Sequence, residues 1–101
     1  MHMTVGLAQI YPKLADLNHN LDKHLDYIQQ AIDAKSDLIV FPELSMTGYQ
    51  VQDLVPEVAI HTEENDPIFA KLLDASRHID IVVGFVHEDA RKRFYIADAY
   101  L

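Results

Sequence analysis

Blocks of apolar and polar residues predict strands and helices in alternation. An apolar run over residues 4–10, followed by Tyr11-Pro12, predicts a buried strand, because proline cannot donate to a strand ladder. The following helix is predicted over about residues 17–35, with Asp16 or Asn18 as its N-cap. Its apolar residues recur every three or four positions, which places them on one helical face: Leu17, Leu21, Leu25, Ile28 and Ile32.

A second strand is predicted over residues 37–42, where the sequence reads DLIVFP. A continuous apolar run of this kind is typical of a strand covered on both faces. Strand, helix and strand over residues 4–42 make a crossover unit of the usual size. The next stretch is less regular. It predicts a turn at Thr47-Gly48-Tyr49 and a short helix over residues 53–60.

The rest of the chain predicts one more helix and a hairpin. Asp66-Pro67 combines an N-cap residue with proline at the first helical position, which starts a helix over about residues 67–78. Strands over residues 79–87 and 94–101 flank a short charged turn, which favours a hairpin. Helices between buried strands predict a layered α/β domain. Because the last apolar strand reaches the final residue, we expect residues 1–101 to be part of a larger domain.

Composition narrows the classes of function. The chain has 101 residues, half of them apolar, no cysteine and a net charge of −8. It therefore supplies no disulfide, thiolate ligand or cysteine nucleophile, and its charge disfavours binding to nucleic acid. No apolar run is long enough to cross a membrane, and no signal peptide is evident. We expect a soluble, cytoplasmic protein.

Glu43 is the first candidate catalytic residue. It follows the second predicted strand, and ligands of open α/β sheets gather outside the carboxyl ends of the strands. Beside Phe41, Leu44 and Met46, its carboxylate should be partly desolvated, which would raise its pKa and suit general acid–base chemistry. Position alone favours the alternative, a solvated glutamate at the start of a surface loop.

Other polar residues carry weaker signals. The six histidines show no zinc-type spacing, so we predict no metal site. Ser45 lacks the nucleophile-elbow pattern and is interpreted as a turn or capping residue. Lys92, between two arginines, is interpreted as a solvated turn charge. Asp98 interrupts an apolar strand and receives no assigned role.

The stretch FPELSMTGY, residues 41–49, resembles the glutamate motif of the nitrilase superfamily, the carbon–nitrogen hydrolases. Further segments resemble the family's strands and first helix in the same order, so the resemblance covers nearly the whole chain. They are residues 8–9, 16–21, 36–42, 81–85 and 94–95. The sequence departs from the family at Ile96, where an asparagine is common.

The resemblance implies an αββα sandwich, of which residues 1–101 form the N-terminal portion. It also implies hydrolysis of a non-peptide carbon–nitrogen bond, in an amide or nitrile, by a Glu-Lys-Cys triad and without a cofactor. Glu43 matches the family's general base. The lysine and cysteine motifs fall beyond Leu101, so this portion alone should be inactive, and Lys92 is not the triad lysine. Family members also assemble into oligomers, so a homo-oligomer is expected.

Tyr49 is a candidate substrate-binding residue near Glu43, although packing after a glycine turn explains it equally well. Two further hypotheses stay open. One is a catalytically inactive α/β remnant or association module, because the chain has no nucleophilic cysteine. The other is a glutaminase-type domain feeding an NAD synthetase, suggested by Gln52-Asp53-Leu54 and ranked lower because typical prolines are missing. A receiver-like module is disfavoured, because residues 9–11 lack its acidic cluster.

Overall fold

The computed structural model describes residues 2–14, 16–48, 59–62 and 65–101. Its helices and strands follow the predicted order, with strands shorter than predicted at the start of the chain. They are β1 (Val5–Leu7), α1 (Leu17–Asp33), β2 (Leu38–Val40), α2 (Pro67–Ala75), β3 (Asp80–Glu88) and β4 (Phe94–Tyr100). Most of the short helix predicted over residues 53–60 lies outside the described residues. Ile60, at its end, instead forms a parallel β-bridge with His87 and is fully buried.

The described strands form one sheet in the order β1-β2-β3-β4. The first three strands run parallel, and β4 pairs antiparallel with β3, which confirms the predicted hairpin. The Asp89 carboxylate stabilises the hairpin turn, since it accepts hydrogen bonds from the backbone N–H groups of Arg91 and Arg93. Lys92 is exposed in this turn, as predicted.

Helices α1 and α2 begin at the predicted caps. The Asp16 side chain accepts from the backbone N–H of His19, and Asp66 accepts from those of Ile68 and Phe69. Each cap satisfies N–H groups that have no partner inside the helix.

In the part of the chain that the structure describes, no helix has the length and apolarity that a membrane crossing requires.

The hydrophobic core of the described residues lies between α1, α2 and one face of the sheet. The strands contribute Ile39, Ile81, Val83 and Phe85, and the helices contribute Leu21, Ile28, Phe69 and Leu72. Successive strand residues point to opposite faces, so this set takes every second position of β3. This main core therefore uses one sheet face, and Leu44 and Val86 form a second, smaller buried cluster.

Much of the opposite sheet face is exposed. Leu7 is 77% exposed in β1, and Ile96 and Tyr100 are each 63% exposed in β4. The prediction that the first strand is buried is therefore wrong for the described residues. In β2, for which coverage on both faces was expected, Leu38 and Val40 on this face are half-buried. Strands β1, β2 and β3 follow one another across the sheet in chain order. Because crossovers between parallel strands are right-handed, α1 and α2 then lie on the same side of the sheet.

Candidate functional site

The candidate site is built on the tight turn at residues 43–48, which follows β2. The backbone N–H of Ser45 donates to the Pro42 carbonyl, and those of Thr47 and Gly48 donate to the Leu44 carbonyl. Leu44 has a φ of 52°, a conformation that side chains with a Cβ rarely adopt. Gly48, at a φ of 82°, closes the turn where glycine carries no such penalty.

Strand β3 supports this turn through Gly84. The Gly84 carbonyl accepts a hydrogen bond from the backbone N–H of Met46, with an N···O distance of 3.2 Å. A Cβ on Gly84 would lie 2.5 Å from the Leu44 nitrogen and 3.1 Å from the Glu43 carbonyl carbon. Only glycine lets the turn lie this close to the strand.

Two polar residues of α1 hold the turn from the other side. The amide of Asn20 donates to the Met46 carbonyl at 2.7 Å. The Nε2 atom of His24 lies 2.8 Å from the Ser45 hydroxyl, and its Nδ1 atom lies 2.6 Å from the Asn20 carbonyl. Asn20 and His24 have no exposed surface, so α1 reaches the turn through buried hydrogen bonds.

Burial also sets the charge of His24. Desolvation lowers the pKa of its imidazole to about 4, although the hydrogen bond to the Asn20 carbonyl acts in the opposite direction. The ring lies against Phe41, with a centroid separation of 4.3 Å. His24 is therefore neutral at physiological pH.

Asn20 and His24 were not among the predicted site residues. The predicted apolar face of α1 ran through Leu17, Leu21 and Leu25, yet Leu17 and Leu25 are only half-buried. The sequence did contain a signal for them. Asn20 and His24 are four positions apart, and this spacing places both on one side of a helix, next to the apolar face. Ser45 is a turn residue, as predicted, and its buried hydroxyl also contacts His24.

Glu43 itself is exposed, so the expected desolvation is wrong for the described residues. The neighbouring side chains of Phe41, Leu44 and Met46 are buried and leave its carboxylate uncovered. Glu43 lines an open groove of about 570 Å³ at the carboxyl ends of β1 and β2. Its walls are mainly apolar and include Ile10, Pro12, Leu14 and Pro42. The arrangement places one carboxylate beside a surface that suits a small, partly apolar ligand.

Tyr49 lies outside the described residues. The other candidates, Lys92 and Asp98, do not line this groove. Lys92 lines a second depression, together with His61 and His87. Asp98 is exposed on the sheet face of Gly84, with its carboxylate 2.9 Å from where a Cβ on that glycine would lie. Within the described ranges, no cluster of three or more histidine or acidic residues could hold a metal ion.

Comparison with known proteins identifies the family. The model of the family named carbon-nitrogen hydrolase matches residues 4–100. This chain belongs to the carbon–nitrogen hydrolase family. The resemblance drawn from residues 41–49 is therefore confirmed, and Glu43 lies within the region of this carbon–nitrogen hydrolase that the family model matches.

Two groups of relatives resemble this carbon–nitrogen hydrolase chain. It is 36% identical over 89 residues to the glutamine-dependent NAD(+) synthetase of Thermotoga maritima, covering 86% of the chain. The solved structure of an amidase from Nesterenkonia sp. matches 98% of the chain with a TM-score of 0.80 at 25% identity. Glutamine-dependent NAD+ synthetase from Acinetobacter baumannii matches with a TM-score of 0.76 at 29% identity and covers 96% of the chain. The predicted fold class is confirmed.

The chain spans only part of each relative. It covers 15% of the Thermotoga synthetase, 18% of the Acinetobacter synthetase and 38% of the Nesterenkonia amidase. The matched region is thus a minor share of each protein.

Proposed function

We propose that the complete protein containing this chain hydrolyses the carbon–nitrogen bond of a small amide or nitrile, with Glu43 as the general base. The observation that carries this proposal is the position of Glu43. Among the described residues that line the groove, it is the one carboxylate, and it stands on a turn fixed by α1 and β3. A carboxylate carried on a fixed turn beside an apolar ligand surface suits proton transfer in a bound substrate.

The proposed reaction needs groups that these residues do not supply. The chain has no cysteine, so a cysteine elsewhere in the complete protein would provide the nucleophile. A Glu43 oxygen would accept its S–H proton, and the sulfur would then attack the carbon of the substrate. A lysine outside the chain would stabilise the tetrahedral species. Structures of the Nesterenkonia amidase support a small-amide substrate and a reactive cysteine: a cysteine-to-alanine mutant holds butyramide, and a glutamate-to-leucine mutant carries the acetamide moiety of fluoroacetamide at its active site cysteine.

Replacement of Glu43 tests the proposal. We expect Glu43→Gln in the complete protein to lower kcat by about 10²–10⁴-fold, because glutamine keeps the shape of the side chain but cannot accept the proton. The measurement is the release of ammonia from a simple aliphatic amide, with circular dichroism to verify folding. Asp22→Asn, an exposed change on α1, is the matched control and should leave turnover unchanged. Near wild-type turnover for Glu43→Gln would refute the role of Glu43.

A glutaminase domain serving an NAD synthetase is the second candidate. The 36% identity to the Thermotoga synthetase supports it. Ammonia release from glutamine but not from butyramide would favour the glutaminase, and the reverse would favour a free-standing amidase.

The inactive-module hypothesis is tested by the coding sequence. A stop after Leu101 supports an inactive module, whereas continuation through lysine and cysteine motifs supports an enzyme.

We also propose that the protein is cytoplasmic, assembles as a homo-oligomer and works without a cofactor. The exposed apolar face of the sheet supports association, because large apolar patches mark interaction surfaces. Tyr49 remains a predicted substrate-binding residue.

A further inference from the structure

We infer that His24 is a positioning residue for Glu43: its imidazole, through Ser45, fixes the turn that carries the proposed general base. This inference rests on the function proposed above. It depends on three observations, namely the buried hydrogen bonds of His24, the geometry of the turn and the second anchor from Asn20.

The hydrogen bonds determine which tautomer His24 adopts. The Asn20 carbonyl can only accept, so Nδ1 at 2.6 Å must carry the hydrogen and donate it. In the neutral ring Nε2 is then an acceptor, and the Ser45 hydroxyl at 2.8 Å donates to it. Both ring nitrogens are therefore satisfied, and the ring orientation is fixed at each end.

The bond to Ser45 acts on Glu43 through the backbone of the turn. A hydrogen bond from the Ser45 N–H to the Pro42 carbonyl closes a four-residue turn in which Glu43 and Leu44 are the central residues. Leu44 holds a φ of 52°, which the turn would relieve if its end were released. Anchoring Ser45 to α1 therefore fixes the backbone that orients Glu43.

Asn20 supplies a second anchor on the same helix. Its side-chain amide donates to the Met46 carbonyl, one residue after Ser45, and its backbone carbonyl accepts from His24. The two side chains therefore bind consecutive residues of the turn, His24 to Ser45 and Asn20 to Met46. A buried apolar residue at position 24 would fill the same space but would leave the Ser45 hydroxyl without this partner.

Two amide variants separate positioning from packing. In His24→Gln the amide group lies near the former Nε2 position and can still bond to Ser45. In His24→Asn it lies near the former Nδ1 position, can bond to the Asn20 carbonyl and cannot reach Ser45. In the complete protein, we expect His24→Asn to lower kcat by about 10–100-fold with KM within about twofold of wild type, since small displacements of a catalytic group are costly. His24→Gln should keep kcat within about threefold of wild type.

Ser45→Ala provides the independent check. It should reproduce the loss of His24→Asn, and the double variant should lose no more than either single variant, because both changes remove one interaction. The positioning role would be overturned if His24→Gln and His24→Asn lost kcat equally and also lost thermal stability to the same extent. That result would show that the imidazole only fills space.

A spectroscopic measurement keeps this inference separate from the proposed function. In ¹⁵N NMR spectra at pH 7, His24 should show a protonated Nδ1 and an unprotonated Nε2. The backbone amide resonances of Glu43 and Leu44 should shift in His24→Asn and stay close to wild type in His24→Gln. An Nε2-protonated ring, or unchanged Glu43 resonances in His24→Asn, refutes the inference. These results do not depend on hydrolysis, so a fully active Glu43→Gln would refute only the proposed function.

Discussion

His24 is a titratable residue whose charge is decided by where the fold places it. Its ring has no exposed surface, and burial lowers its pKa from 6.5 to about 4. The hydrogen bond to the Asn20 carbonyl favours the protonated ring but does not offset the desolvation. Protonation therefore costs more in the folded protein than in the unfolded chain.

This difference predicts how stability depends on pH. The unfolded chain binds a proton at His24 near pH 6.5 and the folded protein only near pH 4, so stability falls as the pH drops between these values. The full depression corresponds to about 3 kcal/mol. Denaturant unfolding of the complete protein from pH 7.5 to 4 measures the dependence. His24→Gln, which cannot titrate, should lose correspondingly less stability. Parallel curves for the two proteins would contradict the assignment.

The contact between the turn at residues 43–48 and β3 shows how one element shapes another. Gly84 lies on the sheet face opposite the core, where the backbone of Glu43 and Leu44 packs directly on it. Met46, in the same turn, also donates its backbone N–H to the Gly84 carbonyl. Side chains at this position would push the turn away from the strand.

Gly84→Ala should therefore destabilise the protein by about 1–3 kcal/mol, because the new Cβ would meet backbone atoms that cannot move independently. Thermal unfolding of the complete protein measures the effect. Gly6→Ala is the matched control, since a Cβ there would meet its nearest atom at an ordinary 3.6 Å. That change should be neutral or slightly stabilising. Similar melting temperatures for Gly84→Ala and wild type would contradict the contact.

At the scale of the whole molecule, the sheet has one covered face and one largely exposed face. Val5, Leu7, Ile96 and Tyr100 expose apolar surface from the two outer strands. Strands β1 and β4 are also the sheet edges among the described residues, with backbone groups open to pairing. Surfaces and edges of this kind promote association.

We expect residues 1–101 expressed alone to self-associate or to be insoluble. Light scattering coupled to size-exclusion chromatography measures the state of the soluble fraction. Leu7→Lys and Ile96→Lys, which place charge on the exposed face, should reduce association, whereas Asp22→Lys on the exposed side of α1 should not. A monodisperse monomer of the unmodified chain that melts cooperatively would contradict this expectation.

The order of elements, both helix caps and the hairpin could be predicted from sequence, because each depends on residues close together in the chain. The spacing of apolar residues predicts α1, and the short side chains of Asp16 and Asp66 predict its start and that of α2. The motif around Glu43 likewise lies within nine consecutive residues. By itself, the sequence determined the family resemblance and the position of Glu43 after β2.

Only the tertiary structure decided what surrounds Glu43. The bond from His24 to Ser45 joins residues 21 positions apart, and the approach of Gly84 to Leu44 joins two elements more distant still. Local pattern does not report such contacts. For Glu43 it left open a partly desolvated and a solvated carboxylate, and it assigned His24 no role. Burial depends on which elements pack together, so the exposed carboxylate and the neutral histidine beneath it follow from the assembled fold.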